Sequence, residues 1–110
     1  MLYAKVVFGL AVKGAFDYLV PKEWEKDIKA GARVWVSFGR RRALGYCVGL
    51  SRKTKIKNLK SILEIVDAYP LLNNRMLSLT RRVSEYYFCA WGEAIEAALP
   101  LGLRKGKKIE

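Results

Sequence analysis

Pro70 is the residue that most constrains how this chain can fold. Before it, apolar residues recur with the two-residue period of strands; after it, they recur with the spacing of helices. "ARVWVSF" alternates cleanly, with Val34 and Val36 pointing one way and Arg33 and Trp35 the other, as in a half-buried strand. "LYAKVVFGL" is rich in valine and aromatics, and "AFDYLV" follows a Lys13–Gly14 turn and ends at Pro21. "ALGYCVGL" resumes after the turn from Gly39 to Arg42, so the two runs around it form a hairpin with a basic tip. "LKSILEIVD" is a further strand candidate of ambiguous register, with Ile62 and Glu64 on opposite sides. "WEKDIKAGAR" reads as a polar connection closed by a turn at Gly31.

Beyond Pro70, Leu72, Met76, Leu79, Val83 and Tyr86 or Tyr87 follow helical spacing, with Asn73 or Asn74 as N-cap. "GEAIEAALP" reads as a second short helix closed by Pro100. Strands followed by helices define an α+β class. Short strands interrupted by Gly31, Gly39, Gly45 and Gly49 suit a small, partly open, OB-like β-barrel followed by two C-terminal helices. The expected domain runs over residues 1–103, and "RKGKKIE" (104–110) is expected to be a linker or disordered tail.

At 110 residues the chain suffices for one domain with a modest core. Its 52% hydrophobic content excludes disorder, and no apolar run approaches the length of a membrane span. The apolar N-terminus alternates and lacks a positively charged leader, unlike a signal peptide. Cys47 and Cys89, with no histidine in the chain, cannot close a zinc site alone. They read as small buried hydrophobes of a reduced, cytoplasmic protein.

The formal charge of +11 points to a polyanionic partner. It is also unevenly spread. No acid occurs between Asp27 and Glu64, a window that holds Arg33, Arg40, Arg41, Arg42, Arg52, Lys53, Lys55, Lys57 and Lys60. Without a counter-anion such a stretch repels itself. A membrane surface would call for an amphipathic basic helix, whereas these lysines lie in a non-periodic loop, which favours nucleic acid. Phe16, Tyr18, Trp35, Phe38 and Tyr46 flank the basic turns. Most are needed as core; Trp35 is the one expected to be partly exposed, where bases could stack. The chain has no P-loop, no histidine and no paired carboxylates, so it is expected to be no enzyme and to need no cofactor by itself.

Asp17 is the anomaly, a lone carboxylate between two aromatics in a strand of a very basic protein. Taken in order, "AFDYLVP", "GARVWVSFGRRRALGYCVGLS", "LKSILEIVDAYPLL" and "EYYFCAWGEAIEAALP" resemble the N-terminal 3′-end DNA-binding domain of the PriA replication-restart helicases. The similarity covers nearly the whole chain. One departure is Ser37, where that family usually has proline before the Phe38–Gly39 pair.

The resemblance implies an OB-like domain that binds the free 3′ end of a nascent strand at a stalled fork. It implies a pocket containing Phe16, Asp17, Tyr18, Gly39 and Lys60. The two basic clusters themselves, Arg40, Arg41 and Arg42 at the hairpin tip and Arg52, Lys53, Lys55 and Lys57 in the loop, are expected along the DNA backbone. The resemblance also implies a longer parent, an ATP-driven helicase carrying zinc, located in the bacterial cytoplasm at the nucleoid. Single-strand-binding and primosome proteins would be its partners. In this picture Asp17 accepts a hydrogen bond from the terminal hydroxyl and repels a phosphate placed there. Strict alternation, however, puts Asp17 opposite Phe16 and Tyr18, so a bulge or main-chain contacts are needed to unite the three. The competing readings are a basic OB-like module for RNA and one for an acidic protein tail.

Overall fold

A computed structural model describes residues 1–10, 14–56 and 58–104. Lys13, Lys57 and the expected tail beyond Arg104 therefore lie outside the described residues. Five strands form one antiparallel sheet: β1 (Leu2–Phe8), β2 (Phe16–Val20), β3 (Arg33–Phe38), β4 (Arg41–Ser51) and β5 (Ile62–Ile65). Their order across the sheet is β2-β1-β4-β3-β5. The sheet curls until its outer strands meet: Leu19 pairs with Ser61, and the Leu19 N–H donates to the Lys60 carbonyl at 2.9 Å. The result is the expected partly open, OB-like barrel, followed by α1 (Asn74–Tyr87) and α2 (Trp91–Ala97). A four-residue helix, α3 (Leu101–Arg104), comes next. No described helix is long and apolar enough to cross a membrane.

Alternation gives the sheet two buried faces. The even-numbered side chains Leu2, Ala4, Val6 and Phe8 fill the barrel with Tyr18, Val20, Val34, Val36, Cys47 and Ile62. On the outer face Val7 and Tyr46 pack with Leu72, Leu77, Ile95 and Leu99 beneath the helices. Val6, Val7 and Phe8 are consecutive and all buried because helices cover the outside of β1 only at that end. Gly92 permits this close cover: a Cβ there would lie 1.7 Å from the Phe8 carbonyl oxygen. Gly31 is similarly required, at φ +100° with the Leu72 carbonyl oxygen 1.9 Å from where a Cβ would stand. The Phe38–Arg41 pair closes a two-residue hairpin whose first turn residue, Gly39, has φ 64°. A register shift between β3 and β5 pairs Val36 with Ile62 but Trp35 with Glu64, which places Ile62 inside and Glu64 outside, as expected.

Two readings of the sequence are corrected. The first concerns α1. Asn73 caps it, its side chain accepting from the Met76 N–H at 2.8 Å. Yet the buried residues are Leu77, Thr80 and Ser84, while Leu79, Val83, Tyr86 and Tyr87 of the expected apolar stripe are exposed. The inward face is tolerated because its hydroxyls are satisfied: Thr80 Oγ1 donates to the helix backbone and accepts from the Trp91 indole N–H at 3.0 Å. The second concerns Arg33, which is not part of a basic surface. It is fully buried, and Asp67 receives it through three bonds, from Nη2 at 2.6 Å, Nε at 2.9 Å and the Arg33 backbone N–H at 3.0 Å. Its Nη1 also donates to the Leu103 carbonyl at 2.8 Å.

Cys47 is buried as a small hydrophobe, and burial pushes its thiol up to about 11, whereas Cys89, just past α1, is only partly buried, contrary to the expectation. Phe88 ends α1 in the left-handed region, φ 55°, with its ring 84% exposed.

Asp67→Ala should cost ~3–5 kcal/mol, because the Arg33 charge is left buried without its counterion. Urea unfolding measures it, and a loss below about 1 kcal/mol would mean the pair is not a structural anchor. Phe88→Gly should instead raise stability by about 0.5–1 kcal/mol, since glycine relieves the left-handed backbone and the exposed ring loses no packing. A lowered urea midpoint in that variant would contradict this.

Candidate nucleic-acid interface

The basic residues gather on two loops at the rim of the barrel. Arg40, Arg41 and Arg42 stand exposed around the β3–β4 turn. Arg42 is partly engaged: its guanidinium lies 4.5 Å from the centre of the half-buried Trp35 ring and 3.6 Å from Glu64. The second loop follows β4. Arg52, Lys53 and Lys55 are exposed on it, with Arg52 paired to Glu25 at 3.1 Å.

Asp17 lies where this second loop folds back over the sheet. β2 and β1 run in register with Asp17 opposite Lys5, so both side chains leave the outer face, away from the barrel core. The groove there has a volume of about 730 Å³ and is lined by Tyr3, Lys5, Asp17, Arg52, Lys53, Thr54, Lys55 and Ile56. Asp17 is mostly enclosed, its side chain 13% exposed. Lys5 Nζ approaches one carboxylate oxygen at 3.5 Å, and Thr54 Oγ1 donates to the other at 2.8 Å. The Thr54 oxygen in turn accepts the Ile56 N–H at 3.2 Å. Asp17 thus fastens the basic loop to the sheet while retaining lone pairs toward the groove.

Phe16 and Tyr18 do not join Asp17 in this groove. Their side chains point into the barrel, where Phe8, Phe16 and Phe38 form a ring cluster with centroids 4.6–5.8 Å apart. The Tyr18 hydroxyl donates to the Ser37 carbonyl at 2.8 Å, and burial raises its pKa. Ser37 sits within β3 opposite Arg42, so the departure from proline leaves the strand paired. Gly39 and Lys60, far apart in sequence, are brought together: Lys60 Nζ donates to the Gly39 carbonyl at 2.8 Å.

These two half-sites flank one strand edge. Leu19 turns its N–H away from β1 to meet Lys60, so by alternation the Asp17 N–H and C=O also face away from β1. Asp17 thus turns its side chain to the outer groove and its main chain to the free side of β2, the side on which Leu19 meets Lys60.

Tyr3, Lys5 and Thr54 shape the groove but were not singled out in the sequence. The available signal was Lys5, the one charge within "LYAKVVF" and on the same side as Tyr3. Thr54 carried none, because its partner lies 37 positions away.

A basic, partly open barrel with a cation-lined groove at its rim has the features of a nucleic-acid-binding domain. Residues 5–100 match the family of the PriA 3′ DNA-binding domain (3′BD), and the chain belongs to that family. It is 28% identical to the replication restart protein PriA of Bacillus subtilis, over 94% of this chain and 14% of that protein. To the PriA of Chlamydia pneumoniae it is 30% identical, over 90% of this chain and 13% of the relative. The Haemophilus influenzae PriA is 28% identical, over 97% of this chain and 15% of its own length. The chain therefore spans about a seventh of the relatives it matches. It is a DNA-binding domain of the PriA replication-restart family.

Thr54→Val should release the loop from the carboxylate. Hydrogen exchange at the Ile56 amide should speed up in Thr54→Val and stay slow in Thr54→Ser, which keeps the hydroxyl. Equal protection in both variants would show that Thr54 does not hold the loop.

Proposed function

We propose that this domain binds the free 3′ end of a nascent DNA strand at a stalled or branched fork and so targets a parent ATP-dependent helicase for replication restart. The observation that carries this is a single carboxylate, Asp17, enclosed in a groove whose other charged lining residues are Lys5, Arg52, Lys53 and Lys55. A groove for internal phosphates alone would gain nothing from an anion. A terminal nucleotide differs from an internal one by its free hydroxyl, which donates to a carboxylate, whereas a phosphate there is repelled.

In this mechanism the terminal hydroxyl meets Asp17, and the Arg52–Lys55 loop and the Arg40–Arg42 tip attract the phosphates that precede it. The base lies over the β2 edge, where the Asp17 main chain, Gly39 and Lys60 present hydrogen-bonding groups. Phe16 and Tyr18 support that edge from inside the barrel. Arg42 and Arg52, already paired with Glu64 and Glu25, add less than the unpaired charges beside them. Lys57, outside the described residues, belongs to the same loop in sequence. The domain needs no cofactor for this work; ATP and zinc would belong to the parent, as would contacts with single-strand-binding and primosome proteins. Its place would be the cytoplasm, at the nucleoid.

Asp17→Ala should weaken binding of a 3′-hydroxyl strand roughly ten- to a hundredfold, the value of a charge-assisted hydrogen bond. Asp17→Asn should lose less on that end and bind a 3′-phosphate end better than the unmutated domain does. Binding should weaken with salt, each phosphate contact adding ~0.7 to the log–log slope for a single strand. If the unmutated domain binds both ends equally and Asp17→Ala changes neither, end recognition is lost. A slope of zero would remove DNA binding by these loops.

A further inference from the structure

We infer that the outer face of β1 is a second nucleotide subsite, in which Tyr3 stacks on the penultimate base and Lys5 holds the phosphate joining it to the last nucleotide. The inference rests on the end-binding function proposed above and extends it from one nucleotide to two.

The geometry begins at Asp17. Directly across the ladder from it stands Lys5, and across from Lys5, on β4, stands Gly49. A chain whose 3′-hydroxyl meets Asp17 must leave the terminal nucleotide by its 5′-phosphate. On the edge side the way is narrowed by the Leu19–Lys60 bond; on the other side lies β1. Lys5 is the first cation there. Its side chain is half exposed, and its one contact with Asp17 is long, at 3.5 Å. An ammonium so placed has donors left for a phosphate oxygen.

Two residues along β1, on the same face, is Tyr3, whose ring lines the same groove. Among the described residues its hydroxyl has only a distant contact, 4.0 Å to the Met1 sulfur, so the polar tip is not tied into the core. Aromatic faces stack on any base, which suits a site that must accept every sequence. Gly49 keeps the floor beside Lys5 low: a Cβ placed there would find Lys5 Cδ as its nearest atom, at 3.9 Å. A Cβ is therefore accommodated there in ordinary contact, which leaves the position open to being blocked by a larger side chain.

The test measures fluorescence anisotropy of the full chain with a fluorescein-labelled trinucleotide ending in a 3′-hydroxyl. The same probe is used with a 3′-phosphate and with the penultimate base removed. Tyr3→Leu and Gly49→Leu should each weaken the hydroxyl probe about tenfold and leave the preference for hydroxyl over phosphate intact. Removing the penultimate base should weaken binding to the parent by a similar factor and cost Tyr3→Leu almost nothing more, because both changes delete one contact. Lys5→Met should lower the salt slope by ~0.7. Parent-like binding by Tyr3→Leu and Gly49→Leu, or fully additive penalties for Tyr3→Leu and base removal, would overturn the subsite while leaving the end-binding role of Asp17 standing. A parent that shows no preference for the hydroxyl end would remove both.

Discussion

The ion pair between Arg33 and Asp67 is the interaction on which the rest of the fold depends. Arg33 opens β3 and Asp67 lies two residues beyond β5, so the pair clamps the two strands at one end. The Val66 N–H donates to the Arg33 carbonyl at 2.9 Å, continuing the ladder past β5. The same guanidinium reaches the carbonyl of Leu103, tying the C-terminal helices to the sheet. A buried cation is costly in a small domain, and here the guanidinium is met by the Asp67 carboxylate and the Leu103 carbonyl, which would otherwise be left desolvated. The pair thus couples the barrel core to the outer core beneath the helices.

Positioning follows from that coupling. With β3 and β5 held, the sheet curls far enough for the Lys60–Ser61 segment to meet β2 at Leu19. The contact joins only part of β2, and the stretch around Asp17 remains an edge. An unpaired edge invites strand addition. Here one side of it is guarded by Lys60 and Gly39, and the other by the Arg52–Ile56 loop that Thr54 fastens to Asp17. The exposed main chain is thereby confined to a gap between two charged walls.

Electrostatics within the domain divides its cations by task. Arg33 is consumed by structure, and Arg42 and Arg52 are partly satisfied by Glu64 and Glu25. Arg40, Arg41, Lys53 and Lys55 keep exposed charges at the rim. Each acid of the pairs with Arg33, Arg42 and Arg52 lies outside the acid-free window or at its boundary, so only folding could bring it to its partner. A local count of charges overstates the free positive surface for that reason.

Much of the architecture was legible in the sequence. Alternation in "ARVWVSF", the turn at Gly39 and the change of period at Pro70 are local signals, and local sterics and side-chain periodicity determine strands, hairpins and helices. Asp17 was legible as an anomaly because an acid between two aromatics in a strand of a very basic protein violates the surrounding pattern. What only the tertiary structure decided was which face each element buries and which distant residues meet. The apolar stripe of α1 pointed outward because the helix was seated by Leu77 and by hydroxyls bonded to its own backbone and to Trp91, a choice that hydrophobicity alone does not encode. Arg33 with Asp67, Lys60 with Gly39, and Thr54 with Asp17 are separated by 34, 21 and 37 positions, respectively. Such contacts depend on the curl of the sheet as a whole, since hydrogen-bond geometry is satisfied over a few ångströms in space and leaves no periodic trace along the chain.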